Sequence, residues 1–256
     1  MISRIPVSAV GMMVGREQTA DCSFSGSPSE DPGTVLIDMH VHSRHSSDSD
    51  IPVRNIVRIW EYHHILPLVC DHNSVAGSVQ VYRRIRAVNP EIPEILAEEI
   101  MTSDGEIIGA FLQEEIPPFM SAEETLDRIG EQGGISIMPH PFCRFRTSVI
   151  RPDVLDRVVH RVDIIEGFNG RAVNEQDNTV ARRYAVAHRK PVSAGSDAHT
   201  LSELGRTFAV VAPFSTPDEL VATLRTAEIH YTKSQPVSDA VSHMKNRQKP
   251  VPGISA

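Results

Sequence analysis

Between Val35 and Thr226 the chain alternates, about seven times, between a short apolar run and a stretch of helical spacing. Apolar runs bounded by turn residues read as buried strands, here expected at residues 35–39, 66–70, 92–97, 107–112, 135–138, 163–165, 191–194 and 207–211. Helices are expected at 52–64, 75–88, 121–132, 153–160, 175–188 and 216–226. Pro52 and the pair Thr216-Pro217 suit helix starts, Ser121 with Glu124 forms a capping box, and Gly133-Gly134 stops the helix that it opens. Strand followed by helix, repeated, means a parallel sheet covered by helices, as a barrel or an open doubly wound sheet. The phosphate-cradling turns GxGxxG and GxxxxGK[ST] do not occur, which weakens a nucleotide-cofactor reading.

Length and composition narrow the class. With 256 residues, 40% hydrophobic and 23% charged, the chain suits one large globular domain or two small ones, and α/β barrels of this size commonly fold as one unit. The formal charge of −8 argues against gripping nucleic acid with the whole surface, while leaving room for a local anion site. Cys22, Cys70 and Cys143 are too few and too scattered for a disulfide framework, so a cytoplasmic setting is expected. No apolar run reaches the length of a membrane span, and residues 1–14 lack a dense apolar region and a cleavage site. Residues 1–33 and 234–256 are polar and rich in Pro and Ser; they are expected as flexible tails around a domain at 34–233.

The twelve histidines are the unusual part of the composition, because several sit beside carboxylates where strands end. The first strand runs into Asp38-Met39-His40-Val41-His42, the second into Asp71-His72, the third into Glu98-Glu99; later strands run into Pro139-His140-Pro141 and Gly195-Ser196-Asp197-Ala198-His199. A lone His-x-His is most often two surface histidines, and a lone Asp-His a helix cap. Five such termini in one parallel barrel converge on a single face. Residues i and i+2 of a strand share a side, so His40 and His42 can share one ion, and Asp197 and His199 repeat the spacing. Imidazole plus carboxylate without thiolate suits Zn, Mn or Fe, and the set is large enough for two or three ions bridged by a carboxylate.

These motifs, in this order, resemble the polymerase and histidinol phosphatase (PHP) family over about residues 36–211. The resemblance implies a distorted (β/α)7 TIM-like barrel of parallel strands with its metal site at their C-terminal ends. It implies His40, His42 and Asp197 on a first ion, Glu99 as the bridge with Glu98 the weaker neighbour, and His140 on a second ion. Asp48, His72 and His199 would hold a third. The family's Ser-Asp-Gly stretch reads Ser47-Asp48-Ser49 here and lies one residue further from His42, with Asp50 as the fallback. Glu106 stands where the family often has a His, and a carboxylate there favours harder ions such as Mn. Asp197, His199 and Glu99 are the expected catalytic groups.

Arg144 and Arg171 are candidate phosphate clamps, Arg146 lies close by, and Asn169 with Glu166 is a candidate for orienting ligands or substrate. His45 is a candidate substrate or acid/base group, while His63 and His64 read as helix surface and Cys70 as core. The expected activity is hydrolysis of a phosphate ester, on a small phosphomonoester, a nucleotide or a short nucleic-acid end. The alternatives are a metal hydrolase of C–N bonds and a non-catalytic metal-binding regulator. No membrane partner is expected.

Overall fold

The computed structural model describes residues 33–233; the expected tails lie outside the described residues, save Gly33. In chain order the elements are β1 (Val35–Val41), α1 (Val53–His63), β2 (Ile65–His72), α2 (Ala76–Val88), β3 (Ala97–Met101), β4 (Glu106–Ala110), α3 (Ala122–Glu131), β5 (Ile135–Met138), α4 (Pro152–Val158), β6 (Ile164–Asn169), α5 (Glu175–Ala187), β7 (Val192–Gly195), β8 (Phe208–Val211), α6 (Pro217–Thr223) and β9 (Glu228–His230). Among the described residues no helix is long and apolar enough to cross a membrane.

The strands form one sheet in the order β7-β6-β5-β4-β3-β2-β1-β8-β9. It curls until the chain just past β7 meets the free edge of β1. There Val41 pairs with Ala198, and the Asp197 N–H donates to the His40 carbonyl at 2.7 Å. The His42 N–H donates to the Ala198 carbonyl at 3.0 Å. β8 takes the first half of that same edge, from Val35 to Ile37. The result is a nearly closed barrel of β1 to β7, with β8 and β9 outside the closure. Gly195 permits this approach, since a Cβ there would lie 2.3 Å from the Cβ of His40.

The barrel is not all parallel, contrary to the sequence expectation. β4 runs antiparallel to both β3 and β5, and β8 antiparallel to β1. A parallel crossover takes a dozen or more residues, and only residues 102–105 separate β3 from β4. That link is a tight turn, closed by the Thr102 N–H and Oγ1 donating to the Gly105 carbonyl at 3.0 and 2.6 Å, with Gly105 at φ +133°. β3 also begins later than the expected 92–97. Pro93 has no N–H to give a ladder, and pairing with β2 sets Ala97 against Cys70 and Glu99 against His72.

β1 and β2 are buried along nearly their whole length, as strands covered on both faces must be. α1 and α2 pack on them through Val53, Ile56, Val57, Val81 and Ile85. α3, α4 and α5 cover the opposite side through Leu126, Ile129, Val154, Leu155 and Ala181. Each such side chain contributes about 1.5–3 kcal/mol on burial. Buried ion clusters contribute little net stability after desolvation, so the aliphatic shell holds the fold and the barrel mouth is free to carry charge.

Candidate metal centre

β1 delivers the first two groups. His40 and His42 are two apart on the strand, both fully buried, with their Nε2 atoms 3.0 Å apart. A contact of this length is a hydrogen bond when one ring carries a proton on Nε2, and two open lone pairs when both rings carry it on Nδ1. The structure gives both Nδ1 atoms an acceptor: Glu166 Oε1 at 2.9 Å from His40, and Ser46 Oγ at 2.9 Å from His42. With those acceptors filled, each Nε2 would be left to offer its lone pair to an ion, the arrangement in which outer partners orient metal-ligating imidazoles. Burial opposes charge on His40, but Cys70, Asp197, Glu166 and Glu99 raise it well above its ordinary value, so an ion there displaces a proton. Burial and the neighbouring rings of His199 and His72 push His42 down to about 3, which keeps it neutral.

Two carboxylate oxygens complete this group. Glu99 Oε2 lies 3.5 Å from His40 Nε2 and 3.3 Å from His42 Nε2. Asp197 Oδ1 lies 3.6 and 3.5 Å from the same atoms. Neither oxygen has a hydrogen-bond partner, although both are buried. Tetrahedral ligands about 2.0–2.1 Å from an ion stand roughly 3.3 Å from one another, so the two nitrogens and two oxygens fit one divalent cation. A buried acceptor left without a donor is costly, and a cation removes that cost.

The remaining groups ring this one. His140 Nε2 lies 3.0 Å from Glu99 Oε1 and 3.7 Å from Glu106 Oε2, which places Glu99 between two donor sets. His72 Nδ1 lies 3.2 Å from Glu99 Oε2 and 3.6 Å from Glu106 Oε1. Asp48 Oδ2 lies 3.5 Å from His72 Nε2 and 3.1 Å from His199 Nε2. The rings of His42, His72 and His199 form a further group with ligand atoms close enough to share an ion. Burial opposes charge on Asp48, but His199 and His72 hold its carboxyl well below the usual range. Glu106 goes the other way: burial and the nearby Glu99 raise it.

The backbone is bent to make these meetings. β1 slips register against β2 between Asp38 and Val41, around His40, and β6 slips against β7 at Glu166. Such irregularities re-aim side chains. His140 and Asp197 sit at φ +31° and +53°, a region costly for any residue but Gly. Asp197 and His199 therefore do not share a strand face, as their spacing suggested; they meet around a turn, with His199 Nδ1 2.8 Å from the Asp197 carbonyl.

Other candidates fall in several places. Glu98 points away from the mouth, accepting the Ile116 N–H at 2.6 Å. Asp50 is exposed while Asp48 reaches the centre, and His63 and His64 lie exposed at the end of α1. Arg144 is largely exposed and turned to Asp177, its Nε 2.9 Å from Oδ1. Arg171 is buried, with Nη1 2.9 Å from His199 Nδ1. The Asn169 amide donates to Glu166 Oε2 and Asp197 Oδ2, each at 3.0 Å. His45 stands at the exposed rim, its Nε2 2.9 Å from the amide of Gln80. Cys70 Sγ lies in reach of His40 and His42, but burial pushes its thiol up to about 12, and it faces the Val41 carbonyl.

Three residues do more than the sequence suggested. Glu166 accepts from His40 Nδ1 and from the His140 backbone N–H at 2.7 Å, so one carboxylate sets one imidazole and anchors the turn that carries another. Asp71 accepts four hydrogen bonds from the N–H and hydroxyl groups of Ser43 and Ser46, pinning the loop that carries Asp48. Arg146, not Arg144, turns inward, its guanidinium on Asp197 Oδ2. The sequence signal for Asp71 was present in the Asp-His pair; nothing in it separated Arg146 from Arg144.

A family model described as PHP-associated matches residues 175–229. The chain is 34% identical over 191 residues to the uncharacterized protein MJ0417 of Methanocaldococcus jannaschii, covering 73% of this chain and 75% of that one. Its fold is similar to a two-domain Bacteroides vulgatus protein containing a predicted PHP-like metal-dependent phosphoesterase, with TM-score 0.61, 16% identity, and 90% and 75% of the two chains covered. It is also similar to Endonuclease Q in complex with a 27-mer duplex bearing an abasic lesion, with TM-score 0.53, 17% identity, and 75% and 57% covered.

Proposed function

The chain belongs to the family of PHP-domain proteins, and we propose that it is a metal-dependent hydrolase of phosphate esters. The observation that carries the reading is the convergence of two imidazole nitrogens, 3.0 Å apart, with two carboxylate oxygens that lack hydrogen-bond partners and lie within 3.6 Å of both. We assign His40, His42, Glu99 and Asp197 to a first ion, Glu99, Glu106 and His140 to a second, and Asp48, His72 and His199 to a third. Zn, Mn or Fe suits these donors, with Glu106 favouring Mn at its position. Bound divalent ions acidify coordinated water and neutralise charge on phosphoryl oxygens.

The chain's own groups set up the rest. Glu166 fixes the ring of His40 and the backbone of His140, and Asn169 holds Glu166 and Asp197 in place. Arg146 is the guanidinium we assign to a phosphoryl oxygen, because it turns into the centre, against Asp197, whereas Arg144 is largely exposed and turns to Asp177. Arg171 positions His199. Asp197 and His199, at the junction of the first and third donor sets, are the groups we assign to moving a proton. His45 at the rim is assigned to the leaving group's side of the substrate.

Phosphate release from phosphomonoesters, nucleoside bisphosphates and short oligonucleotides, by Mn- or Zn-loaded protein beside His40→Ala, tests the reading. Release is expected from the parent and abolished in a normally folded variant. Equal release from both discards the centre; no release from any substrate, with metal bound, shifts the weight to C–N hydrolysis or a non-catalytic role.

A further inference from the structure

The molecule carries a wall of unpaired arginines beside the mouth of the barrel. α1 and α2 lie side by side over β1 and β2, joined through Val57, Val81 and Ile85. On α1, Arg54 and Arg58 are four apart and both exposed, and so share the solvent face. On α2, Arg83 and Arg84 are exposed, and Arg44 is exposed on the loop between β1 and α1. None of these five makes an ion pair among the described residues, whereas neighbouring Arg86 is paired with Glu94 at 3.0 Å. The acidic groups exposed on the same elements are Asp50 and Glu61.

The formal charge of −8 conceals this wall, because many of the acids it counts are inside. Asp38, Asp71, Glu98, Glu99, Glu166 and Asp197 are all buried. The wall is also continuous with the candidate centre. The loop with Arg44 and His45 carries Asp48 on its inner side, and the contact of His45 with Gln80 ties that loop to α2 one turn before Arg84. Helices that follow parallel strands begin at the strand C-termini, so Arg54 lies nearest the mouth and Arg58, Arg83 and Arg84 further down the outside.

We propose that this wall binds the sugar-phosphate backbone of a nucleic-acid strand whose end or scissile phosphate is then presented to the centre. The proposal rests on the phosphoesterase reading above for its substrate and names that substrate's class. Every cation of the wall is arginine, whose planar fork matches phosphate two hydrogen bonds at a time. A small phosphomonoester is covered by the mouth alone and has no use for guanidinium groups several helical turns away. The wall gives such groups to a chain of phosphates.

Binding is read by fluorescence anisotropy of a labelled oligonucleotide of roughly 20 nucleotides, in EDTA so that turnover plays no part. The affinity of the parent should fall linearly with salt on logarithmic axes. Replacing three contacts by Arg58→Glu, Arg83→Glu and Arg84→Glu should weaken binding at least about tenfold and flatten the slope by about 2 for a single strand. Hydrolysis of an aliphatic phosphomonoester by the metal-loaded variant should match the parent, since none of the three lies in the centre. Equal oligonucleotide affinity in parent and variant, or binding without salt dependence, overturns the proposal. Binding to phosphatidylserine vesicles in preference to the oligonucleotide overturns it in favour of a membrane surface. A parent that binds the strand through the wall yet hydrolyses nothing keeps this inference and removes the catalytic one.

Discussion

His72 faces carboxylates through both nitrogens, Glu99 and Glu106 at Nδ1 and Asp48 at Nε2. Burial is the largest single influence and disfavours its charge, but Glu99, Asp48 and Glu106 together outweigh it and raise the group from 6.5 to about 10. In the metal-free protein His72 is therefore protonated at neutral pH. A folded value above the unfolded one stabilises fully below pH 6.5 and is lost as the pH climbs toward about 10. A metal ion needs the same lone pair, so uptake at His72 must expel a proton. Calorimetry at pH 7.5 in buffers of differing ionisation enthalpy should show about one proton released per ion at this position, and affinity rising about tenfold per pH unit up to that limit. Uptake without proton release would remove His72 from the ligands. At this scale the sequence was informative about residue types, because histidines and carboxylates at strand ends have few other uses. It was silent about Glu166 as the shared acceptor for His40 and His140, since that depends on a register slip no local pattern announces.

Gly77 shows how the elements fit together. It lies in the first turn of α2, where Ala is intrinsically preferred over Gly by about 1 kcal/mol. A Cβ at this point would stand 1.8 Å from Asp71 Oδ2 and 2.5 Å from Ser43 Oγ, inside the network that pins the Asp48 loop. Overpacking a buried site costs about 1–3 kcal/mol, so the clash outweighs the helix gain. Gly77→Ala should lower stability by roughly 1–2 kcal/mol in urea unfolding and weaken metal binding, because Asp48 moves with the loop. A variant more stable than the parent would show that the loop gives way freely. Elements with strong local punctuation were legible: α3 forms from its capping box, with Ser121 accepting the Glu124 N–H. The direction of β4 was masked because adjacent apolar runs read alike in either direction, and β9 was missed because only Ile229 of its three residues turns inward. β3 was placed early because Glu98-Glu99 looks like a strand end, whereas the centre buries that pair in mid-strand.

The whole molecule combines an aliphatic barrel that folds by burial with a mouth that concentrates buried charge. Those demands separate experimentally, because an ion that binds only the folded state adds stability without touching the core. At a thousand times its dissociation constant one such ion contributes about 4 kcal/mol, and a chain of this size shifts its midpoint by about 2–4 °C per kcal/mol. Chelation of the metal-loaded protein should therefore lower Tm by roughly 8–16 °C for each tightly held ion. The chelated protein should still unfold cooperatively, because Ile37, Leu68, Ile108, Ile137 and Ile164 remain packed whatever the mouth contains. Adding Mn or Zn should restore the midpoint in the parent and not in His40→Ala, whose first site has lost a nitrogen. A midpoint unmoved by chelation, in protein shown by elemental analysis to have carried metal, would mean that the ions bind folded and unfolded chains alike. The preformed spacing around His40 and His42 argues against that outcome, because an unfolded chain has no means of holding carboxylate oxygens from β3 and the turn after β7 within 3.6 Å of two nitrogens from β1.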